Sequence, residues 1–437
     1  MSPDRSDLQL LQGVIGGDFD AVKAALEVGA NVNGSPEQPL APITAATISN
    51  HVVIANFLLE QGADPDRPVS EELPHPIPNV DLIATTEPGE RALHIAARGG
   101  SVEIVRLLLK QARVDPNATD YRGYTPLMVT CSCPYSCVEV VRVLLAADAD
   151  PALAQEDGFV PLHLAAANGR VELVDMLYSR APATLNLRAS KGDTPLFWAC
   201  HSGHDSMVSK LLSLGAMQRA PSDGIDACPL AAAVMKGFLG VVRALINAGG
   251  VSGVRSDLVL GQALHLAVSD RQARILQLLL TVDGEEGRSE WANISFGGRN
   301  LLHYGAGYCC PAVVSILLEA GGDETARDPD GRIPGDVIGV DIDLEFEPQM
   351  DRRKEVAVRR MLQRGPASRA RSWAWPADAE ADAGGSFDRN TAAAAVLSSP
   401  PAVKTPPVIS SVRIFRPKEK SSSKFFGRLV GRYCDKD

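Results

Sequence analysis

Three thiols stand within seven residues at Cys131, Cys133 and Cys137, in the stretch CSCPYSC. A thiolate is both a nucleophile and a metal ligand, so such a cluster could hold zinc or run redox chemistry. A structural zinc site takes four ligands, commonly in paired short spacings. The pattern C-x-C-x3-C supplies three, and no fourth is evident beside it. Four histidines are the other residues that could ligate a metal or move protons: His94, His163, His265 and His303. Each sits in the same local context, in ALHIAARGG, PLHLAAANG, ALHLAVSDR and LLHYGAGYC. Residues that recur with their surroundings belong to a repeat. Copies one or more repeats apart cannot share an ion. The chain contains no G-x-x-x-x-G-K-[ST], G-x-G-x-x-G, H-E-x-x-H or G-x-S-x-G, the short signatures of phosphate, dinucleotide, zinc-protease and hydrolase sites. No catalytic, metal-binding or cofactor-binding residue is assigned, and the chain reads as non-enzymatic.

The elements that must position these residues follow from the period. The histidine position falls at His94, Met128, His163, Phe197, Ala231, His265 and His303, in steps of 34, 35, 34, 34, 34 and 38. Earlier copies place Thr44 and Leu11 there. A second pattern keeps the same register. Apolar stretches such as VEIVRLLLK (102–110), VELVDMLYS (171–179) and ARILQLLLT (273–281) follow each unit. Their polar residues are spaced three then four apart, which is one face of a helix. Such a helix wets a narrow stripe and needs neighbours on both sides. The preceding helix is short and alanine-rich, as in Ala165, Ala166 and Ala167. Gly123, Gly158, Gly192, Gly298 and Gly331 mark turns that call for positive φ. The unit is turn, short helix, long helix, turn.

The T-P-L and P-L-H-L-A-A sequences at residues 125–127, 161–166 and 194–196, with G-A-D turns between units, make this chain resemble the ankyrin repeat family. The resemblance covers residues 7 to 364 in about ten repeats. It implies an all-α solenoid of helix-turn-helix units with β-hairpin-like turns, followed by a disordered C-terminal tail. Residues 7–66 hold the first two repeats. Residues 67–90, with five prolines, form an insertion loop. Residues 91–330 hold repeats three to nine. Residues 331–364 form a capping repeat with an acidic insertion, and 365–437 form the tail. The stretch 282–295 is expected to be a second extended loop. In this register Cys131 is an inner-helix packing residue, CSCPYSC is an inter-helix turn lengthened by two residues, and Cys309-Cys310 is another turn. The histidines are expected to bind the turn to the helix.

Composition agrees with a helical stack: 45% of residues are apolar but only 5% aromatic. The net charge of −10 divides unevenly. Residues 351–437 carry 18 Lys and Arg against 9 Asp and Glu, and the remainder carries 25 against 44. An acidic body argues against nucleic-acid binding by the repeats. The lack of an export-type apolar run at the N-terminus and of an apolar span of eighteen residues leads us to expect a cytoplasmic or nuclear protein with reduced thiols.

The resemblance places partner-contacting residues beside the turn glycine and at the end of the inner helix. Here these are Tyr121, Arg122 and Tyr124; Glu156, Asp157 and Phe159; Lys191, Asp193, His201 and Ser202; then Arg299 and Arg332. The expected function is a monomeric scaffold or adaptor that holds a protein partner on the concave face. Two alternatives stand beside it. One is a membrane-peripheral regulator whose basic tail, residues 404–437, docks on anionic lipid or an acidic partner. The other is the regulatory subunit of an enzyme complex.

Overall fold

The computed structural model describes residues 5–35, 38, 40–70, 86–111, 113–133, 137–218, 228–249, 256–282, 284–339, 352–363 and 408–409. The acidic insertion at 340–350, most of the proline-rich insertion, the middle of CSCPYSC and all of the tail except Val408–Ile409 lie outside them. The helices divide between two compact units, described in turn.

Among the described residues the first unit contains seven helix pairs: α1 (Arg5–Gly16) with α2 (Phe19–Glu27), α3 (Pro42–Ile48) with α4 (Val52–Glu60), α5 (Ala92–Arg98) with α6 (Val102–Leu109), α7 (Pro126–Ser132) with α8 (Val138–Ala146), α9 (Pro161–Ala167) with α10 (Val171–Arg180), α11 (Pro195–Ser202) with α12 (Asp205–Ser213), and α13 (Pro229–Lys236) with α14 (Leu239–Asn247). The odd-numbered helices pack in one row and the even-numbered in another, each against the same member of the neighbouring pair. Local chemistry sets where the inner helices begin. The Thr125 hydroxyl accepts from Met128 N–H at 3.3 Å, and the Thr194 hydroxyl from Phe197 N–H at 3.2 Å. Proline occupies the next position of both helices, where a missing N–H costs nothing. The T-P pair is therefore an N-cap followed by a ready-made first turn. The alanines of α9 are buried, which lets neighbouring helices approach closely. Outer helices bury one stripe, as Ile104, Val105 and Leu108 do on α6.

The second unit pairs α15 (Ser256–Ser269) with α16 (Ala273–Leu280), and α18 (Leu301–Gly307) with α19 (Pro311–Glu319). A 3-10 turn, Pro334–Asp336, follows, and α20 (Arg352–Gln363) packs on it and on α19. Asp336 stands at the histidine position, and its carboxylate accepts from Ile333 N–H at 3.1 Å. The stretch 282–295 is not the extended loop that the sequence suggested. It contains α17 (Gly284–Ala292), packed on α16. Trp291, Ala292 and Ile294 are buried there, and this apolar anchor fixes the segment as helix. The hairpin β1 (Ser295–Phe296) and β2 (Arg299–Asn300) follows it, and β3 (Val408–Ile409) pairs parallel with β1. Among the described residues no helix is long and apolar enough to cross a membrane.

Candidate interaction surface

Three successive inter-repeat turns of the first unit are short hairpins. Asp120 N–H donates to Tyr124 O at 3.0 Å, Gln155 N–H to Phe159 O at 3.0 Å and Ala189 N–H to Asp193 O at 2.9 Å. The Asp120 carboxylate fastens its own tip by accepting from Arg122 and Tyr124 N–H at 2.9 and 2.7 Å. Gly123, Gly158 and Gly192 turn the chain at φ of 78°, 82° and 86°. Successive tips touch. A Cβ on Gly158 would lie 3.1 Å from the Ala189 backbone, and Ser190 N–H donates to Asp157 O at 2.8 Å. The tips from Gly89 to Lys191 thus form one continuous edge.

The histidines attach this edge to the helices. Val160 N–H donates to His163 Nδ1 at 3.3 Å, so Nε2 carries the proton and donates to Asp193 O, 30 residues on, at 3.2 Å. His94 repeats the arrangement, accepting from Arg91 N–H and donating to Tyr124 O at 3.0 Å. Burial pushes both imidazoles down to about 4, against the partial support of their carbonyl partners. His303 reaches Arg332 O at 3.1 Å in the second unit. These rings are structural ties, each serving its own pair of repeats. Among the described residues no three His, Cys, Asp or Glu side chains gather as a metal ion requires.

The cysteine cluster resolves into packing. Cys131 is fully buried, and Cys133 Sγ lies 3.1 Å from Val129 O. Burial, then the neighbouring thiols, pushes Cys131 well above its ordinary value and Cys133 up to about 12. The Arg170 guanidinium holds the end of α7 by donating twice to Cys133 O, at 2.6 and 3.0 Å. Thiols kept protonated in this way are poor nucleophiles.

The twelve residues picked out in the sequence divide by exposure. Tyr121 is 52% exposed and its ring covers Gly89. Arg122 spans Asp120 and Glu87 at 3.6 and 3.8 Å and lies 5.3 Å over the Tyr124 ring. Glu156, Asp157 and Lys191 are exposed, while His201 and Ser202 stand half-exposed at the end of α11. Tyr124, Phe159 and Asp193, by contrast, are buried. Phe159 packs against His163 and Trp198, each with ring centroids 5.5 Å away. These three support the edge from beneath. Arg299 and Arg332 belong to the second unit, where both reach Asp328, at 3.5 and 2.9 Å.

Two features escaped the sequence reading. Trp198 stands where the preceding repeat has the fully buried Leu164, and a ring too large for that site remains partly exposed. It forms an aromatic group with Phe159, Phe197 and His201, at 5.5, 5.8 and 5.5 Å. Burial, then the nearby Lys236, lowers the His201 pKa. The departure from an aliphatic residue at this register was the available signal. The second feature is an asparagine tie between turns. Asn33, Asn117 and Asn186 accept through Oδ1 from the N–H of Asp64, Asp150 and Met217 at 2.6, 2.8 and 2.7 Å.

Stacked helix pairs with hairpin tips, tied by histidine and asparagine, define a helical repeat protein. The family model described as ankyrin repeats (3 copies) matches residues 74–155 and 162–257. The chain is 31% identical over 267 residues to ankyrin repeat and SOCS box protein 16 of Mus musculus, covering 57% of this chain and 54% of that protein. It is 35% identical over 133 residues to SMC5-SMC6 complex localization factor protein 1 of Bos taurus, covering 30% of this chain and 12% of the other. It is 27% identical over 183 residues to transient receptor potential cation channel subfamily A member 1 of Homo sapiens, covering 40% and 15%. The chain thus spans about half or less of the length of these relatives. It carries ankyrin repeats, which are protein–protein interaction modules and typically not enzymes.

Proposed function

We propose that this chain is a non-catalytic scaffold or adaptor that holds a protein partner along the turn edge and inner helices of its first unit. The observation that carries this reading is the continuity of the edge. Tyr121, Glu156, Asp157 and Lys191 project from hairpins that stack on one another, and Trp198 and His201 stand on α11. Tyr, Trp and Arg are the residue types that most often dominate interface energy. Tyr124 and Phe159 serve by holding the tips rigid, which lowers the ordering cost of binding.

Partners labelled in proximity to the full chain can be compared with those labelled by a Tyr121→Ala, Trp198→Ala variant. The reading expects specific partners to be lost while far-ultraviolet circular dichroism is unchanged. Retention of every partner by a folded variant would place the binding face elsewhere.

A further inference from the structure

The turn from Asp148 to Asp157 carries an exposed leucine, Leu153, together with four exposed carboxylates, Asp148, Asp150, Glu156 and Asp157. No ion pair to these four is recorded among the described residues. Some carboxylates elsewhere on this unit are paired: Glu139 with Arg106 at 2.7 Å, and Asp175 with Lys210 at 2.7 Å. Exposed apolar side chains recur on the neighbouring turns: Leu187 occupies the same register one repeat later, and Tyr121 stands on the preceding tip, in the register of Glu156. Exposed apolar side chains on turns that also carry unpaired carboxylates fit a segment that alternates cations with apolar rings.

The chain contains such a segment. KEKSSSKFFGRLVGRYC, residues 418–434, interleaves Lys418, Lys420, Lys424, Arg428 and Arg432 with Phe425, Phe426, Leu429, Val430 and Tyr433. Residues 404–437 hold nine Lys and Arg against three Asp and Glu, at the end of a chain whose net charge is −10. We infer that residues 418–434 dock on the Tyr121–Leu153–Leu187 edge of their own chain. The tail then acts as a resident occupant that an outside partner must displace. That partner would share its chemistry: a basic segment interleaved with apolar side chains. The inference rests on the reading of this edge as a binding surface.

Zero-length carbodiimide cross-linking of the full chain tests it, because amide bonds form only between amines and carboxylates in contact. Mixing isotopically heavy and light protein separates links within a chain from links between chains. The expected result is within-chain links from Lys418, Lys420 and Lys424 to Asp148, Glu156 and Asp157, weakened by added salt. A Phe425→Ala, Phe426→Ala, Leu429→Ser variant keeps every lysine. It is expected to lose these links about tenfold, the equivalent of some 1.4 kcal/mol. Links distributed over all exposed carboxylates in proportion to exposure would overturn the inference. So would heavy–light links alone, which would make a second copy the occupant. Capture of the tail by phosphatidylserine vesicles with no within-chain link at any salt concentration would also overturn it. If the links fail while Tyr121 still governs partner labelling, the tail inference falls and the interaction function stands.

Discussion

Positive φ is the residue-scale condition that the repeat imposes twice. Six residues after positions 94, 163, 197 and 231 the chain turns between helices, and there Gly100, Gly169, Gly203 and Gly237 have φ from 67° to 79°. Asn50, Arg271 and Cys309 occupy the same place, at 54°, 59° and 50°. A side chain with a Cβ costs about 1–2 kcal/mol there, less for asparagine. Arg271→Gly and Cys309→Gly are therefore expected to stabilise the chain by about 0.5–1 kcal/mol each, after the entropy glycine adds to the unfolded state. Urea midpoints decide the matter; a lower midpoint for Arg271→Gly would mean that its side-chain contacts outweigh the strain. The asparagine tie gives the opposite sign. Asn117→Ala leaves the Asp150 N–H without its side-chain acceptor and removes the donor to Asp148 O, so a loss of about 1–2 kcal/mol is expected in the same assay. The glycine copies were legible as turn positions in the sequence. The asparagine ties were not: they keep one register, eleven residues before positions 44, 128 and 197, but too few copies carry them to stand out, and Ala152 holds the place in the repeat between Asn117 and Asn186.

At the scale of the element, the histidine tie couples the start of α5 and of α9 to the next hairpin, and its strength depends on pH. In the folded chain His94 and His163 titrate at about 4, because burial disfavours the charged ring; unfolded, they titrate at about 6.5. Between those values the unfolded chain binds protons that the folded chain does not. Stability is therefore fully present above about pH 6.5 and is lost as pH falls toward 4, by on the order of 3 kcal/mol per ring. Urea unfolding of wild type and His163→Gln across this window measures the effect. The variant should be less stable at pH 7 and show a shallower pH slope; equal slopes would remove His163 from the account. The helices holding these ties were readable because two patterns, T-P-L-H and the apolar stripe, agree in register. Helix α17 was not readable. GEEGRSEWA offers a single large apolar side chain, Trp291, and one anchor makes no period. The buried side of the candidate surface was misjudged for a related reason. Position beside a turn glycine does not distinguish Tyr121, which covers Gly89, from Tyr124, which points inward.

Across the whole molecule, a stack in which each pair touches mainly its neighbours has no single core, so damage should remain local. Leu144 on α8 is fully buried within the first unit. Leu144→Ala is expected to cost about 2–5 kcal/mol through lost burial and the cavity left behind. The loss should appear in native-state hydrogen exchange as faster opening of α7 and α8 first, then of the adjoining α5, α6, α9 and α10. Helices α18 and α19, in the second unit, should keep their wild-type protection. This graded response follows from the same architecture that lines the hairpin tips along one edge. Each tip is held by its own hairpin, its own glycine and ties to the adjoining repeats, so surface residues can change without consulting a distant core. Uniform loss of protection through both units after the single substitution would show one cooperative block, and the repeat-by-repeat independence that assigns separate duties to Tyr121, Leu153 and Trp198 would fail with it.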